Sequence, residues 1–215
     1  MNIDWKEYFD NLAVNGATDY KKVGWGSDKS MYSKFYVALS LLPLDGKERL
    51  LNIGCGTGAF EELLAGKYPA LEIHAIDISE KELSFARQRN LSVNFRIGSI
   101  TDIPYQDSFF DCVTCFGVLQ NFNGSLLSAI AEMSRVLKER GDIFITTLDA
   151  DYVGFKSGER NPNPINSYFV PEELNKLLES VGISPIRMAA ISSKKLEGLI
   201  VPLHHWHRFF LWGKK

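Results

Sequence analysis

Apolar positions along the chain switch between two periods. Trp5, Tyr8, Phe9 and Leu12 fall at i, i+3, i+4 and i+7, which predicts a short N-terminal helix with one apolar face. Met31, Phe35, Ala38, Leu39 and Leu42 make a second such stripe over residues 30–42, closed by Pro43 and Asp45-Gly46. A short apolar run at 49–53 is too short for a helix and suits a buried parallel strand. From Ala59 onward helices and strands alternate: strands at 71–76, 93–97, 109–116 and 142–148, helices at 80–90 and 125–138. That alternation implies a parallel sheet covered on both faces. After Leu148 it breaks. Residues 149–167 carry Gly154, Gly158, Pro162 and Pro164 without periodicity, and a loop of that length is usually functional or disordered. Pro171 opens a helix over 172–181. Strands at 183–191 and 204–212 then follow with no crossover helix between them, so a hairpin is expected. The expected fold class is α/β, a three-layer sandwich whose doubly wound, mostly parallel seven-stranded sheet ends in an antiparallel strand. We read one domain over 1–215, with 1–45 as a lid and 149–170 as a substrate loop.

Composition narrows this little but usefully. A net charge of −2 lacks the basic surplus of a dedicated nucleic-acid binder. No apolar run reaches membrane-spanning length, and the first residues do not resemble a signal peptide. Three cysteines without framework spacing fit a reducing compartment, so a cytoplasmic location is expected.

The chemistry centres on Gly54-Cys55-Gly56-Thr57-Gly58, between the strand at 49–53 and a helix whose first turn carries Glu61 and Glu62. Glycines there let the backbone turn sharply and let a ligand lie on bare main chain. Strand, glycine turn and helix start form the front of a nucleotide-binding βαβ unit. Gly54, Gly56 and Ala59 also satisfy the looser dinucleotide fingerprint, so the glycines alone leave the cofactor open. Asp77 ends the second strand, nineteen residues beyond Gly58, where a doubly wound fold places the acid that holds a ribose. A helix-cap role for it is disfavoured, because Ser79 and Glu82 already spell a capping box. Cys112-Val113-Thr114-Cys115 is no redox pair, since i and i+3 of a strand face opposite sides. In a strand only His205 and His207 of His204-His205-Trp206-His207 share a face, and no neighbouring acid or cysteine completes a metal set.

Taken together, these motifs resemble the class I S-adenosylmethionine (AdoMet) methyltransferases, clearly over 50–148. Motif I of that family matches Gly54 to Gly58, its ribose acid matches Asp77 beside Ile78, and Gly98-Ser99-Ile100 falls where the family contacts adenine. Phe110-Asp111-Cys112-Val113 resembles its fourth-strand signature, followed by an exit loop from Phe116. Arg135-Val136-Leu137-Lys138 and Gly141 resemble its junction into strand five. The resemblance implies a Rossmann-like methyltransferase fold and AdoMet as cofactor. The cofactor-binding set it implies is Asn52, Gly54, Cys55, Gly56, Gly58, Asp77, Ile78, Ser99, Ile100 and Phe116. Trp25, exposed-looking in its glycine-flanked loop, is added to that set as a cover over the ligand, and a surface plug is an equal reading of it. The chain departs from the family at Asn52, usually an acid, which cannot supply charge opposite the methionine ammonium. It departs again at Ser99, usually Asp, and at Glu139-Arg140-Gly141.

The expected reaction is in-line transfer of the AdoMet methyl to a small molecule, without metal. Asp149, Tyr168 and His205 are candidate catalytic residues, and Tyr32, Tyr152 and His207 further candidate positioners. The competing readings are a methyltransferase of protein or nucleic acid and a nicotinamide-dependent oxidoreductase or nucleotide sensor. Phe116-Gly117-Val118-Leu119-Gln120 lacks the D/N-P-P-Y/F pattern of base-amino methyltransferases, and no second nucleotide-binding half is present.

Overall fold

The computed structural model describes residues 3–158, 162–192, 200–204 and 208–215. In chain order the elements are α1 (Trp5–Asn15), α2 (Asp19–Lys22), α3 (Asp28–Leu41), β1 (Arg49–Ile53), α4 (Ala59–Lys67), β2 (Glu72–Asp77), α5 (Glu80–Arg87), β3 (Val93–Ile97) and β4 (Phe110–Phe116). A 3-10 turn (Leu119–Asn121) precedes α6 (Leu126–Val136), β5 (Leu137–Leu148), α7 (Val153–Lys156), α8 (Pro171–Ser180), β6 (Ser184–Ile191), β7 (Ile200–Val201) and β8 (Arg208–Lys214). The starts are set locally. Asp4, Ser27, Ser79 and Ser125 each cap a helix by accepting a backbone N–H three residues on.

The sheet runs β3-β2-β1-β4-β5-β8-β6-β7. Strands β1 to β5 are parallel, and β8 lies antiparallel between β5 and β6. The expected antiparallel last strand is therefore present. The two-residue β7 adds an eighth, short strand at the edge beside β6. The direction of winding reverses between β1 and β4, which opens a crevice at their carboxyl ends.

Gly141, expected at the junction into strand five, sits inside β5. Phe110 pairs with Leu137 and Cys112 with Asp142, so the extra residues loop out as a bulge, with Arg140 at φ 65°. Cys112 and Cys115 take opposite faces. Cys115 packs in the core beneath α6 and α8, and Cys112 in the core beneath α3 and α4. On the second face Phe35, Phe60, Phe116, Phe144 and Phe210 form an aromatic column with ring centroids 4.7–5.8 Å apart. Helix α3 belongs to this core through Met31, Phe35, Val37 and Ala38. Among the described residues, no helix is long and apolar enough to cross a membrane.

Candidate cofactor and acceptor site

A cavity opens at the carboxyl ends of β1, β2 and β4. Of the predicted cofactor set, Trp25, Asn52, Gly54, Cys55, Gly56, Asp77, Ile78, Ser99, Ile100 and Phe116 line it. Gly58 does not. It takes the left-handed conformation, φ 80°, as the N-cap of α4.

Gly54 and Gly56 have φ 71° and 55°. A Cβ on Gly54 would stand 2.2 Å from Val118 Cγ2, and one on Gly56 2.4 Å from Val23 Cγ1. The glycines therefore serve two purposes. They leave main chain bare toward the cavity, and they also admit Val118 and Val23, which fill part of the room expected for a ligand. The loop is pinned from behind: Gly54 N–H and Cys55 N–H donate to the Ile76 carbonyl at 2.8 and 3.1 Å. Arg89 Nε donates to the Thr57 carbonyl at 2.6 Å.

Asp77 is buried. One of its oxygens accepts Gly56 N–H at 2.9 Å and the other accepts Ser79 N–H at 2.9 Å. Burial raises its pKa, and those backbone donors pull against that rise. Each oxygen keeps a lone pair for a ligand hydroxyl. The predicted capping box is only half made. Ser79 Oγ accepts Glu82 N–H, but Glu82 does not return the bond, because Asp77 already holds Ser79 N–H.

Asn52 is not the end of the story at its position. Its Nδ2 donates to Glu61 Oε1 at 2.7 Å, and Thr114 Oγ1 donates to its Oδ1 at 3.0 Å. The acid missing from position 52 thus stands behind it on α4. Glu61 is fully buried, its other oxygen has no partner, and burial lifts its pKa to about 7. The sequence offered Glu61 only as a first-turn acid for the helix dipole.

The opposite side of the cavity comes from the N-terminal segment and β8. Trp5, Phe9, Val23 and Trp25 line it together with Gln120, Asn121 and Arg208. Trp25 is half-buried in this wall. The Arg208 guanidinium lies 4.6 Å from one of its ring centroids and donates to Gln120 Oε1 at 2.9 Å. Lys34 Nζ lies 5.2 Å from that ring system, buried and bonded to Ser30 and Ser33. Burial, with Arg208 nearby, lowers its pKa to about 6. The N-terminal segment is tied down at its rim. Asp10 Oδ1 accepts Ser79 Oγ–H at 2.6 Å, Asp19 accepts from Arg89 at 2.5 Å, and Trp5 Nε1 donates to Asn123 at 3.0 Å.

The candidate catalytic residues fall elsewhere. Asp149 follows directly on β5 but is sealed from the cavity, accepting Asp151 N–H at 2.8 Å and facing His204 Nδ1 at 2.9 Å. Strand-end position suggested a ligand-facing acid, but His204, in a left-handed turn at φ 64° ahead of β8, covers it. Tyr168 stays within its own loop, its hydroxyl accepting Asn163 N–H at 2.7 Å. Tyr32, Tyr152 and the described part of 149–170 do not line the cavity; residues 166–167 instead brace Gln120 and Asn121. His205 and His207 lie outside the described residues. Among those described, no cluster of His, Cys, Asp or Glu could hold a metal ion.

A crevice at the switch point, a bare glycine turn and a buried carboxylate at the tip of β2 define a nucleoside-binding α/β protein. Residues 51–145 match the family described as methyltransferase domain. Demethylmenaquinone methyltransferase of Thermotoga maritima is 35% identical over 101 residues, 47% of this chain and 44% of that protein. Malonyl-[acyl-carrier protein] O-methyltransferase of Priestia megaterium is 28% identical over 186 residues, 80% of this chain and 67% of that one. A solved SAM-dependent methyltransferase of Thermotoga maritima superposes with a TM-score of 0.74 at 20% identity, covering 98% of this chain and 99% of that chain. The chain spans less than half the length of the first of these relatives. Residues 51–145 thus resemble a methyltransferase domain set in a fold shared with solved SAM-dependent methyltransferases, and AdoMet is the cofactor this resemblance implies. The site fits that molecule. It offers bare main chain at Gly54 to Gly56, a buried acceptor at Asp77 and a buried carboxyl oxygen of Glu82 without a partner. Bound there, AdoMet supplies a methyl group already activated on a sulfonium.

Proposed function

We propose that this chain transfers the AdoMet methyl group to a small-molecule acceptor held beneath Trp25. The observation that carries the reading is the single cavity shared by the nucleoside-binding residues and a largely aromatic wall from the N-terminal segment. Asp77 and the Gly54–Gly56 backbone hold the nucleoside end, with Ile78, Ser99 and Ile100 about the base. Phe116, Trp25, Gln120 and Arg208 surround the acceptor end. The chain's contribution is positioning and exclusion of water, which lowers a displacement barrier by about 7–11 kcal/mol when the reactants are well aligned. The lid is α1, α2 and the Val23–Trp25 turn, fastened at its rim by Trp5, Asp10 and Asp19; α3 is part of the body. Buried free thiols at Cys55, Cys112 and Cys115 support a reducing, cytoplasmic setting.

The names of the relatives support the small-molecule reading: one specifies demethylmenaquinone and the other malonyl-[acyl-carrier protein]. Incubation with AdoMet and a panel of phenols, carboxylic acids, thiols and amines, followed by mass spectrometry, tests it. A methylated small molecule formed in step with S-adenosylhomocysteine (AdoHcy) supports it. Methylation of added protein or RNA alone overturns it.

A further inference from the structure

Glu82 is placed oddly for a surface-helix acid. At the third residue of α5 its carboxylate would ordinarily return to the backbone N–H of Ser79. Asp77 has taken that N–H, and Asp10 takes the Ser79 hydroxyl proton. The Glu82 side chain turns inward instead. The residue is 2% exposed, lines the cavity beside Asp77 and Gly56, and its Oε1 has no hydrogen-bond partner. Its Oε2 sits 3.4 Å from where a Gly56 Cβ would be. The carboxyl is within hydrogen-bonding reach of Asp77, and burial together with the Asp77 and Asp10 charges raises its pKa well above the ordinary value. Two buried carboxyls in contact do not both ionise; they share a proton.

We propose that Glu82 is a second nucleoside-binding residue, forming with Asp77 a carboxyl pair that grips both ribose hydroxyls of the cofactor. The proposal rests on the AdoMet reading. A carboxyl pair bridged by one proton leaves an acceptor oxygen on each side chain, and a cis-diol offers two O–H donors, so the two match. The partnerless Oε1 gains its missing bond when the diol arrives. The same pair repels a phosphate on either ribose hydroxyl, which sets the site against 2′-phosphorylated dinucleotides.

Calorimetric titration with AdoHcy and with its 2′-deoxy and 3′-deoxy analogues tests this on the wild type, Glu82→Gln and Glu82→Met. The wild type loses about ten- to a hundredfold in affinity when the hydroxyl facing Glu82 is removed. Glu82→Met loses a similar factor on AdoHcy and no longer distinguishes that deoxy analogue. Glu82→Gln, which keeps a donor and an acceptor in the same shape, binds AdoHcy within about threefold of wild type. Thermal unfolding of each variant confirms that it is folded. If Glu82→Met binds as the wild type does, or binds weakly with the analogue preference intact, the assignment of Glu82 is overturned while the cofactor stands. A wild type that binds no AdoHcy overturns both.

Discussion

Replacing Glu61 by Gln should make the protein more stable at mildly alkaline pH. Glu61 is fully buried, bonded through one oxygen to Asn52, and has a pKa of about 7 in the folded chain against an ordinary 4.5. The folded protein therefore holds a proton that the unfolded chain has released between those two values. A group with a raised folded pKa contributes stability that is complete below the unfolded value and lost as pH rises through the folded one. The interval of about 2.5 units corresponds to about 3 kcal/mol. Gln imitates the protonated acid: its oxygen accepts from Asn52 Nδ2, and its amide occupies the place of the partnerless Oε2. Asp77 and Glu82 titrate in both proteins and cancel in the difference. Urea unfolding at about pH 5 should show the two proteins nearly equal, and at about pH 8 Glu61→Gln ahead by about 3 kcal/mol. A stability difference that does not change with pH would refute the buried, proton-holding state of Glu61.

Three further outcomes follow from the same contacts. Asp77→Asn places an amide against either Gly56 N–H or Ser79 N–H, so AdoHcy binding should weaken about tenfold or more by calorimetry. Phe116→Ala opens the aromatic column between Phe60 and Phe144 and should cost about 3–5 kcal/mol in denaturant unfolding. The three thiols, buried and with pKa values pushed up by burial, to about 12 for Cys115, should resist iodoacetamide at about pH 8 until the chain is unfolded.

What was legible in the sequence is local. The strand, glycine turn and helix from Arg49 to Lys67 announce themselves by period and by residues that only a turn of positive φ requires. Asp77, Ser99, Ile100 and Phe116 stand at or just beyond the carboxyl ends of strands, and parallel winding brings those ends together. Glu61 and Glu82 were not legible, because each reads as an acid favouring a helix N-terminus. Only the packing of α4 against β1, and the capture of Ser79 N–H by Asp77, turns them inward. Arg208 enters the cavity from a strand far along the chain, with no motif around it. Asp149 misled for the converse reason. Its place at the end of β5 fits a ligand-facing acid, but His204 and the bridge to Phe169 close it off.

One sulfonium nucleoside should lie across the glycine turn with its ribose on Asp77. A crystal structure of the chain grown with AdoHcy tests it most directly. The ribose hydroxyls should lie within hydrogen-bonding distance of Asp77, the base beside Ile78, Ser99 and Ile100, and the thioether sulfur should point toward Trp25 and Phe116. AdoHcy bound elsewhere on the chain, with the cavity above Gly54 to Gly56 closed by Val23 and Val118, would contradict it.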